Sequence, residues 1–121
     1  MKYLMMIYRN DAASAALPPE AIQQMMARYN NVVTEMRDAG VYISGNPLKP
    51  VTTATTVRVR SGKVQTTDGP FAETKEQLGG YFLLECKDLD EAIEWAARIP
   101  HAAECAVEVR PIMAMGAQAA G

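Results

Sequence analysis

Apolar and polar positions along this chain change period several times, and each change marks an element. Ile22, Met25, Met26, Tyr29, Val32, Val33 and Met36 recur at spacings of three and four. That pattern predicts one amphipathic helix, entered at about Pro19 and ended by Gly40. Residues 2–9 alternate instead: Tyr3, Met5 and Ile7 point one way, and Leu4, Met6 and Tyr8 the other. A strand apolar on both faces needs cover on both sides. Between these two elements, residues 10–16 read as a polar, alanine-rich connector.

Further on, Val41-Tyr42-Ile43 predicts a short strand, and Ser44-Gly45-Asn46-Pro47 a turn into a threonine-rich connection. Residues 56–60 and 63–66 alternate with period two around Ser61-Gly62, the signature of a β-hairpin. Gly79 and Gly80 open a strand over 81–86. Asp88, with Glu91 three residues later, caps a second helix. Leu89, Ala92, Ile93 and Ala96 read as the inner face of that helix, with Trp95 to one side, and Pro100 ends it. A last strand covers 106–110. Residues 1–115 thus form one domain, and the small-residue segment 116–121 reads as a fraying tail.

Strand, helix, strand, hairpin, strand, helix, strand is the order of an α+β, ferredoxin-like βαββαβ domain carrying an extra hairpin. Two helices cover only one face of a four-stranded antiparallel sheet. The other face mixes apolar groups with Arg58, Arg60, Glu85, Glu108 and Arg110, which suits an interface better than open water and predicts a back-to-back homodimer.

Composition narrows the functional classes. With 121 residues, the chain buries roughly 65% of its unfolded surface, enough for one core. Twelve basic and fourteen acidic residues, interspersed, create no positive field to recruit phosphate backbones, so direct nucleic-acid binding is not expected. The opening apolar run is too short for a bilayer span or a secretory core, and two cysteines without CxxC spacing fit free thiols in a reducing cytoplasm. Cys86 falls in a strand and reads as a core residue. Cys105 has no histidine or basic neighbour in sequence to make it a thiolate.

The chemistry is sparse. A single histidine, His101, excludes a multi-histidine metal site; it reads as a solvated ring at a helix end, with a general base as the alternative. No phosphate loop, dinucleotide fingerprint or zinc-peptidase motif is present, so no cofactor and no metal is expected. The segment 68–81 stands apart. Gly69 and Pro70 stiffen its start, and Asp68, Glu73, Lys75, Glu76, Gln77 and Tyr81 crowd acids, a base and hydrogen-bonding groups into it. Asp68 is the candidate acid/base, with Tyr81 and Lys75 assisting. Arg58 or Arg110 is the candidate anchor for an anionic group, and Glu73 a further ligand contact. The same residues also fit a purely structural turn. The Met-rich stripe of the first helix reads as plastic core.

At Asp68-Gly69-Pro70-Phe71-Ala72-Glu73-Thr74-Lys75-Glu76 and Leu78-Gly79-Gly80-Tyr81 the chain resembles the DGPF branch of the YCII-related family. The opening Met1-Lys2-Tyr3, Thr55-Thr56-Val57-Arg58 and Val107-Glu108-Val109-Arg110-Pro111 extend the likeness over nearly the whole chain. The resemblance implies a ferredoxin-like dimeric α/β barrel in the cytoplasm, in a family with no settled reaction whose members occur beside or fused to transcription sigma factors. Some relatives carry a His-Asp pair, with the histidine on the first helix and the aspartate before the proline that follows the second helix. The corresponding positions here are Tyr29 and Ile99, so that pair is absent. Two functions follow: a small-molecule binding protein with cofactor-independent acid/base chemistry on a polar or anionic substrate, or a non-catalytic dimeric accessory module associated with transcription.

Overall fold

The computed structural model describes residues 1–115; the expected tail, 116–121, lies outside them. The elements run β1 (Lys2–Arg9), α1 (Asp11–Ala15), α2 (Pro19–Asp38), β2 (Tyr42–Pro47), a 3-10 turn (Val51–Thr53), β3 (Thr55–Arg60), β4 (Lys63–Asp68), β5 (Gln77–Glu85), α3 (Leu89–Arg98), α4 (His101–Glu104) and β6 (Ala106–Pro111). Four strands form an antiparallel sheet in the order β2-β5-β1-β6, and β3 and β4 pair separately as a hairpin. This matches the α+β ferredoxin-like arrangement with a hairpin inserted between β2 and β5. No helix among the described residues is long and apolar enough to cross a membrane.

The core lies between the helices and one face of the sheet. Tyr3, Met5 and Ile7 of β1 and Phe82 and Leu84 of β5 meet Val32 and Met36 of α2 and Ala92, Trp95 and Ala96 of α3. Cys86 is buried among them, as its strand position suggested, and desolvation pushes its thiol up to about 11. Leu4, Met6 and Tyr8, on the opposite face of β1, stay partly exposed because no helix packs there.

Four local readings of the sequence are corrected. The connector after β1 contains α1, because the Asn10 side chain accepts the Ala13 N–H at 2.9 Å and so caps a turn there. The Gly45-Asn46-Pro47 stretch continues β2 rather than turning. A register shift between Tyr42 and Ser44 bends the strand and lets Gly45 lie under the Phe82 ring, where a Cβ would overlap it. In α3 the buried face is Ala92, Trp95, Ala96, while Leu89 and Ile93 are half exposed. The two alanines let the helix approach the sheet, and the indole fills the space beside them. Finally, β5 begins at Gln77, four residues before the expected start, because Gln77 and Leu78 pair with Arg9 and Tyr8.

The caps behave as the sequence indicates. The Asp88 carboxylate accepts the Glu91 N–H at 2.9 Å, and Glu91 Oε1 accepts the Lys87 N–H at 2.8 Å. Ser61 and Gly62 both take positive φ, 52° and 74°, as a two-residue hairpin turn requires.

Candidate functional site

Helix α2 packs on the sheet through its C-terminal half only. Val32 and Met36 are buried, whereas Ile22 and Met26 are exposed and Met25 is partly so. The stripe that reads as continuous core therefore splits. Its first two turns stand off the sheet, and Met25, Met26, Tyr29, Asn30 and Val33 roof a cavity of about 370 Å³, floored by Ile7, Phe82, Gly79 and Gly80.

Tyr29 and His101 meet at this cavity. The Tyr29 hydroxyl lies 2.5 Å from His101 Nδ1, and the two ring centroids are 5.6 Å apart. Desolvation pushes the Tyr29 hydroxyl up to about 12, the hydrogen bond to His101 working against that rise. Burial also lowers the His101 pKa; Glu104 opposes this effect and the cations Arg9 and Arg28 reinforce it. The phenol is thus protonated and the imidazole neutral near pH 7, so Tyr29 donates and Nδ1 accepts. That fixes the ring proton on Nε2, which lies 3.8 Å from Glu104 Oε2.

Arg9, the last residue of β1, lines the same cavity. Its Nε donates to Asp11 Oδ1 at 2.8 Å, Nη1 to the Gly79 carbonyl at 3.2 Å and Nη2 to the Leu48 carbonyl at 2.8 Å. Asp11 is held in turn by the Val51 N–H at 2.9 Å. Burial works to raise the Asp11 pKa, but the Arg9 and Val51 hydrogen bonds and the Arg9 charge outweigh it and hold the carboxyl below its ordinary value. Gly79 makes this placement possible: a Cβ there would sit 2.7 Å from Arg9 Cδ and Nε. The Gly79-Gly80 pair thus admits the arginine on one side and the β2 backbone on the other, where the Asn46 carbonyl oxygen would lie 3.0 Å from a Gly80 Cβ.

The residues singled out in the sequence are dispersed. Tyr81 borders the cavity through its place in β5, but it alternates with the buried Phe82, so its ring lies on the uncovered sheet face opposite Met6, where its hydroxyl accepts from Asn46 Nδ2 at 3.1 Å. Asp68 is exposed at the end of β4, opposite Thr55. The loop behind it is anchored by backbone rather than by its carboxylate: the Gly69 N–H donates to the Ala54 carbonyl at 2.7 Å, and Thr56 Oγ1 donates to the Gly69 carbonyl at 2.8 Å. Glu73 is exposed. Arg58 stacks its guanidinium 5.6 Å from the centre of the Phe71 ring, and Arg110 pairs with Glu108 on β6. Lys75 lies with Glu76, Tyr8 and Cys105 along a separate open groove of about 890 Å³. Burial and the neighbouring Glu76 raise the Cys105 thiol pKa, which disfavours the thiolate. Among the described residues no group of three or more His, Cys, Asp or Glu side chains is placed to hold a metal ion.

Arg9 and the Tyr29–His101 pair escaped the sequence reading. Tyr29 shares the phase of the apolar stripe, and His101 lies 72 positions away. The available signal was a hydroxyl-bearing ring within a run of methionines, together with two adjacent glycines in a strand.

The model of the YCII-related domain matches residues 1–116. The chain belongs to the YCII-related family. It is also 35% identical over 114 residues to an uncharacterised protein of Rhizobium meliloti (strain 1021), an alignment covering 93% of this chain and 92% of that one. The resemblance placed the His-Asp pair of some YCII-related proteins at Tyr29 and Ile99. Ile99 is buried in the core, and the histidine stands two residues further on, where α4 turns it toward Tyr29.

Proposed function

We propose that this YCII-related protein binds a small molecule in the cavity under α2 and performs proton transfer on it without a cofactor, using Tyr29 and His101 as a relay. The observation that carries this reading is the 2.5 Å contact between the Tyr29 hydroxyl and His101 Nδ1 in a largely apolar cavity. A proton leaving an acidic C–H or O–H of the ligand passes to the Tyr29 oxygen as the Tyr29 proton passes to Nδ1. The products are a ligand anion and an imidazolium, with Glu104 beside Nε2 to stabilise the cation. Return of the proton to another atom of the ligand completes an isomerisation. Tyr81, whose ring lies on the opposite sheet face beside Met6, takes no part in this relay.

The DGPF loop supports assignment to that branch of the family. Asp68, Lys75, Glu73, Arg58 and Arg110 lie at separate places away from the relay and have no part in this chemistry. The homodimer, closing into an α/β barrel in the cytoplasm, is part of this proposal. It rests on the uncovered face bearing Leu4, Met6 and Leu83, and on Val57, Val59 and Val64, exposed at 59%, 59% and 69% on one face of the hairpin.

The test is a small-molecule screen by ligand-observed NMR on the wild type, Tyr29→Phe and His101→Gln. Ligands whose binding is lost or weakened in both variants support the relay site. Ligands that bind all three proteins alike and protect other residues overturn it.

A further inference from the structure

Arg9 is a half-buried guanidinium with spare capacity. A guanidinium carries five N–H donors in a planar fork. Asp11, the Gly79 carbonyl and the Leu48 carbonyl take three, one each from Nε, Nη1 and Nη2. One N–H therefore remains on each terminal nitrogen, and a carboxylate, with two acceptor oxygens, is the group that can take both. The side chain is 18% exposed and held at three points, so little freedom is lost when it binds.

The rest of the cavity defines the body of the ligand. Tyr29, Tyr42 and Phe82 line it, with the Phe82 ring centred 6.4 Å from Tyr29 and 6.1 Å from Tyr42. Met25 and Met26 add thioethers, which pack well against ring edges. A space of about 370 Å³ lies at the small end of ligand cavities, the size for one ring with a short substituent. Resting on the reading of this cavity as the ligand site, we infer that its ligand is a single-ring aromatic or similarly flat carboxylate. The carboxylate takes the two free N–H groups of Arg9, and the ring lies among Tyr29, Tyr42 and Phe82. Asp11 is then a positioning residue: it aims the guanidinium and does not touch the ligand.

Two isosteric probes, benzoate and benzamide, test this by calorimetric titration together with the NMR signals of His101. In the wild type, benzoate is expected to bind and shift those signals, with benzamide at least ~10-fold weaker. Arg9→Met should erase the preference. Gly79→Ala keeps the charge but displaces the arginine, and should also erase it, which guards against misfolding of the first variant. If benzamide binds the wild type as well as benzoate, the carboxylate assignment is overturned and the cavity stands. If neither probe binds while another ligand shifts the His101 signals, the inference alone is again overturned. If no ligand shifts them, the inference and the relay site fall together.

Discussion

Tyr29 and His101, 72 positions apart, are joined by a 2.5 Å hydrogen bond in which the phenol donates and the imidazole Nδ1 accepts. The bond fits only the neutral ring, since a protonated imidazole has no lone pair to offer. Burial and the nearby arginines act in the same direction. The folded protein therefore binds a proton at His101 less readily than the unfolded chain does. Its contribution to stability is complete above the ordinary histidine pKa of 6.5 and is lost as the pH falls through the lowered folded value. Chemical denaturation across this window should show stability declining on acidification, and Tyr29→Phe, which removes the donor, should raise the His101 pKa measured by NMR. A flat profile, or an unmoved pKa in the variant, would contradict the pairing.

Gly45 sets the packing of β2 over β5. In Gly45→Ala the new methyl overlaps the Phe82 ring and comes within 2.9 Å of the Tyr81 carbonyl oxygen. Overpacking of this kind costs roughly 1–3 kcal/mol. Urea unfolding should report that loss with an unchanged m-value.

Asp88→Ala removes a cap without touching the cavity, at a cost of about 1 kcal/mol. The thermal midpoint should fall by several degrees while binding of a cavity ligand is retained. A loss of binding would mean that α3 is coupled to the site.

Asp68→Asn separates the two locations considered for chemistry. The Asp68 side chain is exposed, so unfolding free energy should change by less than about 0.5 kcal/mol. Affinity for a cavity ligand should also hold. Weakened affinity at unchanged stability would instead bring the loop into the site.

The open sheet face is accessible to a direct test of assembly. Met6→Lys places an ammonium on that face, next to Leu4 and Leu83 and opposite Glu108 and Tyr81. Sedimentation should show a dimer for the wild type and a monomer for the variant. A monomeric wild type would remove the dimer from the proposal.

What the sequence disclosed follows from the range of the interactions. Helix α2, the Ser61-Gly62 hairpin and the Asp88 cap depend on residues within a few positions of one another, and periodicity or capping chemistry shows them directly. The long β2 was hidden because glycine, asparagine and proline disfavour strands locally, and only pairing with β5 holds them extended. The outward turn of Leu89 and Ile93 depended on how α3 is rotated against the sheet, which a helical stripe leaves open by about one residue. The site was least legible, since Arg9, Tyr29, Gly79 and His101 come from four separate elements and each has an ordinary local reading.

Because α2 is anchored at Val32 and Met36 and free of the sheet around Met26, substitutions at Met25 and Met26 can reshape the cavity at little thermodynamic cost. Within this architecture, ligand preference can diverge between relatives while the fold stays fixed, with variation concentrated in a few positions of one helix.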